Sequence, residues 1–371
     1  MNDSAEQRLA SLSGYLASDP DNLGLLVDAA EAAIEANKFN EAEAIVSHLR
    51  TIAPSASGGL YLSAVIEMNT GNFANAAGTL KTVIESDDAP NVRFNLAWCE
   101  AMLGNKPDAL ELLTGAVTST IAAAAMLKTQ ILHEAGEFEH ALSFGKDALS
   151  RFPEDRGLLA AMATLALDME DLQLARHCAA LGDTHPEALA AAGVIDLHDG
   201  DPERARLQFE KSLAIRDHNP RAWIGRGLTS LAQSDPASAA SDLDRGAQQF
   251  SSHVGSWIAA GWAHYLAGDI DAASDRFERA LAINPNFCES HGSLAVIGVA
   301  RGDLQLARRR MTTALKLDRQ CFSAALAQVL LSSDEPDKSR QIVEAAFSTP
   351  INDKGMTIAS YMAGLSRPTV H

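Results

Sequence analysis

Small and apolar residues recur along this chain at helical spacing, and the pattern itself repeats. From Val254 onward, Trp257, Gly261, Gly268, Ala273, Phe277, Ala280 and Pro285 fall at positions 4, 8, 15, 20, 24, 27 and 32 of a 34-residue unit. Moving back by the same period lands on Trp223, Gly227, Ala239 and Leu243, and then on Leu189, Gly193, Gly200, Ala205 and Phe209. Moving forward lands on Leu294, Ala295, Gly302, Ala307, Met311 and Ala314. With small adjustments the units begin at Leu23, Ser57, Pro90, Ala122, Arg156, Pro186, Pro220, Val254, Cys288 and Phe322. Position 20 is alanine in all but the last (Ala42, Ala76, Ala109, Ala141, Ala175, Ala205, Ala239, Ala273, Ala307), which a chance motif would not produce. Apolar residues three and four apart, punctuated by Gly and Pro, predict two helices per unit.

The residue types follow from packing. If the two helices of a unit lie antiparallel, position 8 on the first and position 20 on the second face one another. Only small side chains there let the backbones approach, while larger apolar residues at 4, 7, 24 and 28 fill the flanks. Glycine at position 15 (Gly71, Gly104, Gly136, Gly200, Gly268, Gly302) ends the first helix in the left-handed conformation. Proline at position 32 (Pro54, Pro153, Pro285) stops the second. A lone unit cannot bury its apolar face, so stability must come from stacking. Leu9, Leu12 and Leu16 before Asp19-Pro20 predict a solitary covering helix at the start, and Met356, Ile358, Ala359 and Met362 predict another near the end.

This spacing resembles the tetratricopeptide repeat (TPR) family over about residues 5–364. The resemblance implies an all-α fold, a right-handed superhelical solenoid of about ten TPR helix pairs with terminal covering helices. It divides the chain into an N-terminal covering helix (5–22), TPR units 1–5 (23–185), units 6–10 (186–348, the last one degenerate) and a C-terminal covering helix (353–364). The unit at Arg156 is followed after 30 residues, so its second helix, Leu172 to Leu181, is trimmed, and Gly182 to Pro186 marks a subdivision. The last unit has Val329 and Gln341 where the others have small residues, with Pro336 where its first helix ends.

In that family the first helices line the concave surface. The resemblance places Tyr61, Leu62, Val65, Phe94, Asn95, Trp98, Met126 and Gln130 on that face, followed by Arg221, Ile224, Ile258, Trp262 and Tyr265. Members that clamp a peptide carboxylate carry Lys, Arg and Asn on adjacent units; here only Arg221 and Asn95 are of that kind, and the clamp reading fails. An apolar inner face has three readings. It is a groove for an apolar segment of a partner, it is buried between neighbouring helices, or it is covered by the chain's own terminal segment or a second copy.

Composition narrows the function further. With 48 acidic against 30 basic side chains in 371 residues and a formal charge of −18, the chain repels nucleic acid and anionic membranes, so neither is expected as a partner. Its hydrophobic content of 47% excludes global disorder. No 18-residue apolar run predicts membrane insertion, and the first residues lack the basic and apolar segments of a signal peptide, so a cytoplasmic location is expected. Cys99, Cys178, Cys288 and Cys321 form no CxxC and read as buried thiols. Cys288 and Cys321 sit one repeat apart, about 10 Å between equivalent helices, too far for a disulfide. His133, Glu134 and His140 bracket one turn, but Gly136 explains that spacing without a metal. His177 and Cys178 diverge by about 100° on a helix. Gly225-Arg226-Gly227 has no preceding strand and no GK[ST], so it is not a phosphate loop. Arg308 to Arg310 form a basic stretch on a second helix, read as a solvated face or a docking patch for an acidic partner.

No catalytic constellation, cofactor or metal is expected. The expected function is a non-enzymatic protein–protein interaction scaffold or adaptor, binding an apolar segment of a protein or peptide partner, with self-association as a further outcome. The alternatives are a chaperone-like assembly factor for a secretion, pilus or cell-envelope complex, and an enzyme or enzyme-associated regulatory subunit. The excess of Arg over Lys together with the alanine content points to a bacterial source.

Overall fold

The structure is a computed structural model describing residues 2–54, 56–332 and 339–348, and among these every regular element is a helix. The covering helix expected at 353–364 lies outside the described residues. The chain forms two compact units divided between Leu158 and Leu159.

The first unit opens with α1 (Asn2–Leu16), whose buried Leu9 and partly buried Leu12 and Leu16 cover the first helix pair, α2 (Leu23–Glu35) and α3 (Phe39–Ile52). Then come α4 (Ser57–Asn69) and α5 (Phe73–Ile84), α6 (Pro90–Met102) with the short α7 (Lys106–Leu112) and α8 (Gly115–Thr118), and α9 (Ala122–Glu134) with α10 (Phe138–Arg151). The division falls in the first turn of α11 (Arg156–Asp168).

The second unit continues with α12 (Leu172–Leu181), α13 (Pro186–His198) and α14 (Pro202–Ile215), α15 (Pro220–Ala232) and α16 (Pro236–Phe250), and α17 (Val254–Ala267) and α18 (Ile270–Ile283). It ends with α19 (Cys288–Ala300) and α20 (Leu304–Leu317), then α21 (Phe322–Leu331) and α22 (Ser339–Ser348). The trimmed α12 packs on α13, and a Cβ at Gly182 would lie 3.0 Å from Ala188 and 3.5 Å from Leu159. The break at Gly182 to Pro186 therefore lies inside the second unit, and the division comes one helix pair earlier.

Each first helix begins at the residue where its repeat begins, and each of the nine alanines at position 20 is 0% exposed. Position 15 is left-handed in the first nine repeats: the six glycines have φ between 76° and 89°, and Asn37, Glu170 and Ser234 hold the same place with φ of 58–63°. Helix starts differ between the units. In the second, Asp171, Asp201, Asp235, Asp269 and Asp303 each accept the backbone N–H three residues on, capping α12, α14, α16, α18 and α20. At the same position in the first unit, Lys38, Asn72, Asn105 and Glu137 make no such bond. A cap of this kind contributes about 1 kcal/mol.

The last pair is irregular for a stated reason. Val329, at position 8 of α21, is 55% exposed, so among the described residues no second helix nests on that side. Instead α22 lies against α21 and also against α17, two pairs back, burying Val343 and Phe347.

Candidate functional site

Within the first unit, α2 touches α4, α4 touches α6 and α6 touches α9, so equivalent positions on these helices share one side. Seven of its expected surface residues are partly open there: Tyr61, Val65, Phe94, Asn95, Trp98, Met126 and Gln130; Leu62 is buried. Asn95 Nδ2 donates to the Tyr61 hydroxyl at 3.0 Å, tying neighbouring repeats together. Phe94 and Trp98 meet edge to face with centroids 6.2 Å apart. The result is a half-open aromatic surface with a few polar groups able to orient an extended segment.

The second unit has no counterpart to this opening at the expected positions. Ile224, Ile258, Trp262 and Tyr265 are buried, with Trp262 and Tyr265 each 1% exposed. The Trp262 ring is surrounded by Tyr265, Phe277 and, from α22, Phe347 at 5.1 Å. Arg221 is also engaged: Nη2 lies 3.4 Å from both carboxylate oxygens of Asp168. Here the apolar stripe is core, completed by a segment of the same chain.

Ion pairs on buried or half-buried carboxylates join successive pairs. Lys81 Nζ lies 2.7 Å from Glu100 Oε1, and Asn105 donates to Oε2. These bonds hold the Glu100 carboxyl below its ordinary range despite burial. In the second unit, Asp244 accepts two hydrogen bonds from Arg276 at 2.7–2.8 Å and lies 3.0 Å from His264 Nε2. Burial pushes Asp244 up, but the bonds from Arg276 and His264 outweigh it and hold the carboxyl at about 2. The sequence carries a signal for the Asp244–Arg276 pair, opposite charges 32 residues apart that the repeat brings face to face. Asp196 is the exception: Arg204 Nε is 3.5 Å away, burial raises the carboxyl's pKa, and a pocket of about 270 Å³ opens beside it between α12 and α14.

Asp244 sets a pH dependence. Its folded pKa lies below the unfolded value of 3.8, so the stability it contributes is present above pH 4 and is lost as pH falls toward 2. Asp244→Asn is expected to cost about 2 kcal/mol at pH 7 and progressively less below pH 4. Urea melts of both proteins across pH 2–7 check this; a constant difference between them would remove the carboxylate as the cause.

The remaining candidates resolve locally. His133 packs against Phe138 with the rings tilted by 57°, Glu134 pairs with Lys106, and His140 with Glu137. Arg310 contacts His291 and Glu278, leaving Arg308 and Arg309 exposed. The expected separation of Cys288 and Cys321 is corrected: both sulfurs and a Glu289 carboxylate oxygen lie within 4.8 Å of one another.

Models of the tetratricopeptide repeat match residues 2–65, 61–124, 191–254 and 224–286. The chain belongs to the tetratricopeptide repeat family. A TPR array is a protein–protein interaction scaffold, and this is one. No curated protein sequence matches the chain. Among solved structures, a monomeric mutant of IFIT1 with Gppp-AAAA superposes with a TM-score of 0.56 at 12% identity, over 84% of this chain and 82% of that one. At that identity the likeness shows the TPR fold alone. Pseudomonas aeruginosa pilF (TM-score 0.47, 14% identity, 56% of this chain and 96% of that one) is also similar. So is PilW, a type IV pilus biogenesis factor (0.47, 15%, 58% and 100%). No helix among the described residues is long and apolar enough to cross a membrane.

Proposed function

We propose that the inner side of the first unit, along α4, α6 and α9, binds an apolar segment of a protein partner. The observation that supports this reading is the difference in exposure between equivalent positions. Tyr61, Phe94, Trp98 and Met126 are partly open, whereas Ile224, Ile258, Trp262 and Tyr265 are closed over. Rigid aromatic rings carry much of the energy at such surfaces because little rotamer freedom is lost on binding. Asn95, already polarised by Tyr61, and Gln130 supply hydrogen bonds to the backbone of the bound segment.

Trp98→Ala is the direct test. It is expected to weaken partner binding about thirtyfold, about 2 kcal/mol, while the thermal melt stays close to the parent's. Affinity capture from the native lysate, followed by titration of the captured protein, reads the first; circular dichroism reads the second. Normal melting with undiminished capture would remove this surface and turn attention to Arg308 and Arg309.

A further inference from the structure

Cys288 and Cys321 open the first helices of consecutive pairs, Cys288 as the first residue of α19 and Cys321 as the N-cap of α21. Ordinary packing holds helix axes about 8–10 Å apart. One turn into α19, however, stands Gly292, where a Cβ would fall 2.6 Å from the Ala324 backbone nitrogen and 2.7 Å from Ser323 Cβ. Without that side chain the two backbones meet, and Ser293 and Ser323 join hydroxyls at 3.2 Å beneath the contact. The close approach draws Cys288 Sγ, Cys321 Sγ and a Glu289 carboxylate oxygen to within 4.8 Å of one another. Both thiols are free; Cys321 is buried, while Cys288 and Glu289 are half-buried.

The carboxylate is held in place. Glu289 Oε1 accepts the Phe322 N–H at 2.8 Å, and Oε2 accepts the Ser323 N–H at 3.1 Å and the Ser323 hydroxyl. A carboxylate has about four acceptor directions, so these three bonds leave one, on Oε1. Asp318 Oδ2 stands 4.0 Å from Cys288 Sγ and supplies a further oxygen at the rim. Two sulfurs and an oriented carboxylate oxygen make a donor set suited to a tetrahedral, thiophilic divalent cation, and hydrogen-bonded carboxylates are the usual support of such ligands.

We propose that Cys288, Cys321 and Glu289 bind a zinc-type divalent cation, with Asp318 or water in the fourth position. Binding replaces two S–H protons, released to solvent, by two metal–sulfur bonds, with no change in oxidation state. Metal–sulfur bonds of about 2.3 Å and a metal–oxygen bond of about 2.0 Å require the three atoms to draw in by no more than about 1 Å. The ion would clamp α19 to α21 at their N-terminal ends.

Cobalt(II) is the probe. Titrated into the reduced full-length protein, it is expected to give near-ultraviolet thiolate-to-metal charge-transfer absorption that saturates at one equivalent and is displaced by zinc. Cys288→Ser should abolish the band with helix content unchanged, and Cys99→Ser, at a buried thiol on α6, should leave it intact. Absence of the band, or a band that survives Cys288→Ser, would overturn the proposal.

Discussion

Trp262→Ala is expected to lower the stability of the chain by about 3–5 kcal/mol, the cost of a large cavity in a packed core. The ring is 1% exposed and touches Tyr265, Phe277 and Phe347, so three aromatic neighbours would lose their common partner. Trp98 occupies the same repeat position in the first unit, yet it is only partly buried. Urea melts of the two alanine variants should therefore separate clearly. A loss below about 1 kcal/mol for Trp262→Ala would mean that α22 and the first helices do not share a core.

Gly225→Ala should cost about 3 kcal/mol, although it adds one methyl group. Its Cβ would fall 2.2 Å from Cζ of Phe209, a ring that is 0% exposed. The ring cannot retreat toward α13, because a Cβ built at Gly193 would lie 2.6 Å from it on that side. Overpacking of this kind forces side chains off their rotamers or helices apart. Gly78→Ala, within α5, is the control of opposite sign: nothing lies within 4 Å of its added Cβ, so the better helix propensity of alanine should stabilise by up to about 1 kcal/mol. Equal effects at the two positions would overturn this account of the glycine contacts.

The helices were legible in the sequence because spacing and packing say the same thing. Small residues at positions 8 and 20, a left-handed residue at 15 and proline at 32 state where helices start, meet and stop. Three features escaped for physical reasons. The aspartates at position 16 look like ordinary surface charges until the repeat aligns them as caps. Gly292 is one glycine among 25, and only the backbone contact at Ala324 distinguishes it. The burial of Trp262 depends on where α22 lies, and a repeat motif is silent about a helix that leaves the repeat. A periodic pattern names the face a residue shares but not what finally covers it.

The contact between Trp262 and Phe347 also changes how the second unit comes apart. In an array whose pairs touch only their neighbours, fraying can begin at an end and proceed one pair at a time. Phe347 reaches back past α19 and α20 to α17, so α22 ties the end of the second unit to a helix two pairs earlier. The helices enclosed by that tie share one opening event rather than a sequence of small ones, which makes this stretch a single cooperative block within an otherwise modular chain.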